Sequence, residues 1–235
     1  GMFSKRRKLT ITELLAVLLA LAAAFLLQGC GKTTKGVSDS GFPMKVTDVL
    51  GRQVTINEAP QRIVSLAPDI TETLFALGLG DKVVGVTQYC NYPAEAKQKP
   101  KVGGFSTPSA ELVVAAKPDL VLATSINKDN IPQLEQAGLK VIAVESPNLT
   151  QVLEKVRFIG KVTGSVEAAN NLVSDMQGRI DRIAAKVSGL SDEQKPVVFF
   201  EIWPDPLTTG GAKSFISSLI DTAGGKNIAG DVEQD

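Results

Sequence analysis

No histidine occurs anywhere in the 235 residues. A Ser–His–Asp triad, a Cys–His pair, a histidine zinc centre and a histidine haem ligand are therefore excluded from the outset. Cysteine is almost as scarce: Cys30 and Cys90 are the only two, too few for a disulfide framework or a four-cysteine knuckle. Aromatic residues make up 5% of the chain, with one Trp and two Tyr, so the position of each carries weight. An excess of charge is missing as well. The 25 Lys and Arg balance 25 Asp and Glu, which argues against nucleic acid as a partner.

What is present begins with an address. Lys5, Arg6, Arg7 and Lys8 precede Leu14 to Leu27, a run of 14 residues made only of Ala, Leu, Val and Phe. That run is short of the ~20 residues a transmembrane helix needs and suits the apolar region of a signal peptide. It ends in Leu27-Gln28-Gly29-Cys30. This resembles the bacterial lipobox, and the resemblance implies cleavage before Cys30 and a lipid on its sulfur. An uncleaved anchor helix is the alternative. Residues 1–29 are thus expected to be a lipoprotein signal peptide, and 30–43 the lipidated cysteine and a flexible tether. Without Lys5, Arg6, Arg7, Lys8 and Glu13, the remainder carries 21 basic and 24 acidic residues, a formal −3.

From Met44 onward, short apolar runs alternate with helical patterns. A hairpin is predicted over Val46 to Ile56, turning at Leu50-Gly51. Strands follow at Ile63–Leu66, Val83–Val86, Leu120–Ala123 and Val141–Val144. Helices are predicted after Pro68-Asp69, with Asp69 and Glu72 in capping-box spacing, after Pro93, over Ala110–Ala116 behind Ser109, and over Ile131–Ala137 ahead of Gly138. Continuous apolar strands alternating with helices imply a parallel sheet covered on both faces. This first lobe is expected to close near Gly160–Gly164. From Ser165 to Val187 apolar residues recur every three or four positions, predicting one long helix with Ser165 as N-cap. Lys195-Pro196 then leads into a strand over Val197–Ile202, a loop from Trp203 to Gly211 and a helix over Lys213–Ala223. One strand and one helix do not make an independent sheet domain, so the second lobe is expected to be truncated.

Five segments together resemble the substrate-binding lipoproteins of ABC importers for cobalamin, haem and ferric siderophores: TDVLGRQVTI, PQRIVSLAPDITETLFALGLGDKVVGVTQYCNYP, KVGGFSTPSAELVVAAKPDLVLA, FFEIWPDPLTTGG and FISSLIDTAGGKNIA. The resemblance implies an α/β fold of two parallel-sheet lobes joined by one long helix, with ligand held in the cleft between them. The domains become an N-terminal α/β lobe at 44–164, an interlobe helix at 165–190 and the start of a C-terminal α/β lobe at 195–235. It further implies capture of a corrinoid, haem or ferric siderophore and delivery to an ABC permease dimer. The protein would act as an exported monomer, anchored through Cys30 on the outer face of the cytoplasmic membrane or in the periplasm. No intrinsic cofactor, resident metal or catalytic residue is implied.

Each candidate residue has a functional and a plain structural reading. Tyr89 follows the strand Val83–Val86, where parallel sheets bind ligands. In the resembling family this position faces the cleft, where a tyrosine stacks on a macrocycle or ligates haem iron; otherwise it packs its own loop. Phe105 follows Gly103-Gly104 and faces either cleft or core. Thr124 and Ser125 end the strand Leu120–Ala123, where they either touch ligand, Thr124 foremost, or simply meet solvent. Trp203 stands in a proline-stiffened loop and serves either as a ligand platform or as interlobe packing. Tyr92 is expected to brace the turn before Pro93, and Cys90 to be packed, with metal ligation a minor alternative. Glu201 is left between burial and cleft. Glu111 complements the helix dipole behind Ser109; in the resembling family a glutamate there docks on an arginine of the permease.

Two other functions compete. A lipid-anchored sensor or scaffold would use the same cleft. A surface hydrolase would have to work with carboxylates alone, and no DxD or ExxE cluster stands at a strand end.

Overall fold

Four short apolar runs build the central sheet: β3 (Ile63–Ser65), β4 (Val83–Val86), β5 (Leu120–Ala123) and β6 (Val141–Ala143). They pair in parallel in the order β4-β3-β5-β6. The computed structural model describes residues 41–233. The predicted signal peptide, Cys30 and all but the last residues of the tether lie outside the described residues.

Every residue of β3, β5 and β6 is buried. Because side chains alternate across a strand, one run feeds two cores. Leu120, Leu122 and Ile142 face a core completed by helix α1 (Pro68–Ala76), α4 (Leu149–Thr163) and the start of α5 (Val166–Val187). Val121, Ala123, Val141 and Ala143 face a second core completed by α2 (Ala110–Ala115) and α3 (Ile131–Gln136). Each fully buried Leu, Ile or Val stabilises the fold by about 1.5–3 kcal/mol.

The edge of the sheet at β6 is closed by the hairpin β1 (Met44–Thr47) and β2 (Gln53–Ile56). Asp48 in its turn is the fastener. Its Oδ1 accepts from the N–H groups of Leu50 and Arg52, both at 3.0 Å, and its Oδ2 accepts from Ala143 N at 3.1 Å. The Arg52 guanidinium lies 2.5 Å from Asp48 Oδ2 and reaches Glu135 at 2.7 Å. Burial alone would raise the Asp48 carboxyl pKa. The Ala143 and Arg52 hydrogen bonds and the Arg52 charge outweigh that and hold it below the ordinary value.

Helix ends follow local chemistry. Ser109 Oγ accepts from Leu112 N at 3.4 Å at the start of α2, and Asn148 Oδ1 accepts from Gln151 N at 3.0 Å at the start of α4. The predicted capping role of Asp69 is not what is found. Pro68 takes the first position of α1, Ala67 is the N-cap and no side chain caps the helix. Ser165 likewise precedes α5 without a side-chain cap. Helix α4 is an element the sequence reading did not predict. It meets α5 at Gly164, whose φ of +75° ends α4, and the two helices lie against each other at Gly160 and Ala169.

The first half of α5 buries Ala169 and Val173 in the first core, while Ile183 near its far end is exposed. That end meets the last part of the chain: Val187 packs over Gly224. There the expected strand Val197–Ile202 is much shorter. Only β7 (Val197–Val198) forms, in parallel with β10 (Lys226–Asn227). Phe199 to Ile202 run on without a ladder because β10 reaches no further along them. A small antiparallel hairpin of β8 (Trp203–Pro204) and β9 (Leu207–Thr208) follows. Helix α6 (Phe215–Thr222), capped by Ser214 Oγ on Ser217 N at 3.1 Å, is two residues shorter at its start than expected. Ser218 Oγ accepts from Leu149 N at 3.2 Å and ties α6 to the start of α4.

Candidate ligand-binding groove

In a parallel sheet, ligands collect outside the carboxyl ends of the strands, where successive connections leave in opposite directions. Strand β3 is that point. Its connection to β4 runs to one side, and β5 lies on the other. The loops after β3, β4, β5 and β6 therefore leave an open groove there. One part, of about 690 Å³, is lined by Asp69, Phe105, Thr124, Ser125, Ile126, Lys128, Val144, Glu145 and Ser146. The adjoining part, of about 590 Å³, is lined by Pro68, Asp69, Tyr89, Phe105 and Ser106. Asp69 and Phe105 belong to both parts.

Buried polar groups hold the loops that carry Tyr89, Phe105 and Thr124. Under the Tyr89 loop, Thr71 Oγ1 lies 2.8 Å from Ser65 Oγ and 3.2 Å from Cys90 Sγ, and Thr87 Oγ1 lies 3.2 Å from the same sulfur. Cys90 is thus a buried packing residue of the turn, and Tyr89 beside it projects outward, 57% exposed. Asn127, fully buried, accepts from Thr124 N at 3.0 Å and donates through Nδ2 to the Phe105 carbonyl at 2.7 Å. This amide fastens the loop after β5 to the loop that carries Phe105. Phe105 itself packs on the first core and also lines the groove.

Three of the four predicted ligand residues, Tyr89, Phe105 and Thr124, come together here. Trp203 does not line this groove. It sits on the β8–β9 hairpin, 62% exposed, and its indole N–H donates to the Asp205 carbonyl at 3.0 Å. Glu201 is exposed in the irregular stretch before it. Tyr92 is 67% exposed and does not brace its turn; the Pro93 ring already fixes the backbone there. Glu111 is exposed on the first turn of α2. Among the described residues no group of three or more Cys, Asp or Glu side chains could hold a metal ion, and no helix is long and apolar enough to cross a membrane.

Sequence reasoning missed the role of Asp69 and its partner. Lys155 on α4, with only 5% of its side chain exposed, donates from Nζ to Asp69 Oδ2. Asp69 keeps 55% of its side chain exposed toward the groove. A lysine in the midst of the apolar stripe Leu153, Val156, Ile159 was the available signal, since such a lysine needs a buried partner.

Residues 63–234 match the family model for periplasmic binding proteins. The chain is 38% identical to an uncharacterised ABC transporter substrate-binding lipoprotein of Bacillus subtilis, over 90% of this chain and 71% of that one. It is 32% identical to a cobalamin-binding protein of Halobacterium salinarum, over 95% of this chain and 61% of that one. Among solved structures it resembles the periplasmic heme-binding protein of Roseiflexus sp. RS-1 with a TM-score of 0.65 and 29% identity, covering 73% of this chain and 66% of that one. The chain thus spans about two thirds of the length of these relatives. With the β4-β3-β5-β6 sheet, the groove at β3 and a family match over most of its length, the chain belongs to the periplasmic binding protein family, a family of solute-binding proteins and not of enzymes.

Proposed function

We propose that this protein is an extracytoplasmic solute-binding lipoprotein that captures a metal chelate and delivers it to an ABC permease. The chelate is a corrinoid, haem or ferric siderophore. The observation that carries this reading is the convergence of Tyr89, Phe105 and Thr124 in one groove at the carboxyl end of β3 and β5. An exposed ring, a half-buried ring and a hydroxyl suit the flat apolar face and polar rim of a macrocyclic chelate. The names of the cobalamin- and heme-binding relatives support the same class.

In this reading Cys30 carries the lipid anchor after cleavage of residues 1–29, and α5 joins two lobes that share the ligand. Trp203 meets it from the second lobe. Glu111, exposed on α2, docks on the permease; a surface carboxylate of this kind steers and orients association more than it adds affinity. The test is the absorption spectrum of full-length protein purified from its native host, with titrations of cyanocobalamin, hemin and a ferric siderophore. Saturable binding of one of them is expected, and binding of none would sink the reading.

A further inference from the structure

The groove has a chemical bias. The charged side chains lining it among the described residues are Asp69, Glu145 and Lys128. The other ammonium nearby, that of Lys155, is buried behind Asp69 and already engaged by it. Asp69 also stands at the second position of α1, where the helix dipole would otherwise favour an anionic ligand group. Its carboxylate occupies that favourable field first. Lys155 fixes one of its oxygens from below, which leaves lone pairs of the exposed part facing the groove.

We infer that Asp69, held in place by Lys155, selects among chelates: the groove accepts one that presents N–H or O–H donors at this point and rejects one that presents carboxylates. The inference rests on the function proposed above and narrows it to neutral, amide-bearing macrocycles. A carboxylate brought against Asp69 meets a like charge, and the lysine beside that charge, Lys155, is already engaged by it; Lys128, the lysine that lines the groove, stands apart on the loop after β5. An amide meets a charged acceptor, a charge-assisted hydrogen bond stronger than a neutral one. Asp69 touches the ligand; Lys155 is a positioning residue that acts through it.

The test compares two ligands with the same ring, dicyanocobinamide, whose side chains are amides, and dicyanocobyrinic acid, whose side chains are carboxylates. Hemin is the third probe. The full-length protein is expected to bind the amide ligand at least about tenfold more tightly than the acid. The D69N/K155M double variant, which removes both charges together, is expected to narrow that ratio to about threefold or less, chiefly by binding the acid and hemin more tightly. K155M alone leaves the Asp69 carboxylate without its counter-charge and should widen the ratio instead, chiefly by weakening binding of the acid, a change that a merely structural lysine would not produce; thermal unfolding of each variant shows whether it is folded. Unchanged ratios in folded variants, or tighter binding of the acid by the unaltered protein, would overturn the inference and leave the proposed function standing. If the unaltered protein binds none of the three, the proposed function falls and this inference with it.

Discussion

A Cβ atom placed on Gly160 of α4 would lie 2.3 Å from the Cβ of Ala169 on α5. The two helices are therefore in backbone-to-methyl contact, and the glycine is there for its lack of a side chain. G160A is expected to lower stability by about 1–3 kcal/mol, the usual cost of overpacking a close contact. A169G in the same chain should recover part of the loss, so that the double variant is more stable than the sum of the single effects predicts. Thermal denaturation of the four proteins measures this.

Asp48 ties the hairpin to the edge of the sheet through a carboxylate whose side chain is fully buried. D48A strands three backbone N–H groups and takes from Arg52 one of its two carboxylate partners, and should cost about 2–4 kcal/mol. The pH dependence has a definite sign. The folded-state pKa is lowered, so the contribution of Asp48 is fully present above its unfolded-state value of about 3.9 and is lost as pH falls through the lower folded-state value. Urea titrations between neutral and acidic pH should show that loss, and D48N should not show this component of it.

Tyr89 is the one tyrosine on the groove. Y89A should weaken chelate binding by about 0.5–1.5 kcal/mol through loss of stacking. Y89F separates two roles. It keeps the ring, so a stacking tyrosine leaves affinity nearly unchanged, whereas a phenolate ligand to haem iron would alter the visible spectrum of the hemin complex.

Trp203, the sole tryptophan, is exposed on its hairpin. Its fluorescence should be quenched freely by iodide in the unliganded protein. If Trp203 meets the ligand, binding by the full-length protein protects it from iodide, and W203A weakens binding about as much as Y89A.

E111K is expected to leave chelate affinity unchanged and to reduce transport in proteoliposomes carrying the cognate permease. The effect should shrink with added salt, as for any contact that works by charge steering. Equal transport by both proteins would remove Glu111 from the docking surface.

The sheet was legible because its strands are fully buried and so read as unbroken apolar runs, as Leu120 to Ala123 do. The long helix α5 was legible from its three-to-four spacing. Helix α4 was not, because two glycines four residues apart, Gly160 and Gly164, have the local pattern of a chain break. Gly164 does end the helix, but Gly160 sits inside it and serves a contact with Ala169 that no local pattern announces. The strand at Val197 was overextended for a related reason. Apolar content sets the tendency of Phe199 and Phe200 to pair, while a partner at the right register decides whether they do. In the groove, Tyr89, Phe105 and Thr124 could be found because they follow glycines or strand ends. Asp69 was read as a cap because its spacing to Glu72 fits one; the competing demand of Lys155, 86 residues away, is a tertiary fact.

The strand order β4-β3-β5-β6 separates what holds the molecule together from what meets the solute. The groove is furnished by residues 68–69, 89, 105–106, 124–126, 128 and 144–146, the start of one helix and short loop stretches far apart along the chain, while most of the two cores is built from the strands and helices between them. Exchanging one of the exposed side chains among them, Tyr89, Ser106, Ile126, Lys128 or Glu145, changes the groove without removing a buried core side chain, whereas Phe105 and Val144 serve groove and core together. A scaffold of this kind can pass from one cargo to another by single substitutions, each nearly neutral for folding, so a lineage can change its nutrient without first rebuilding its protein.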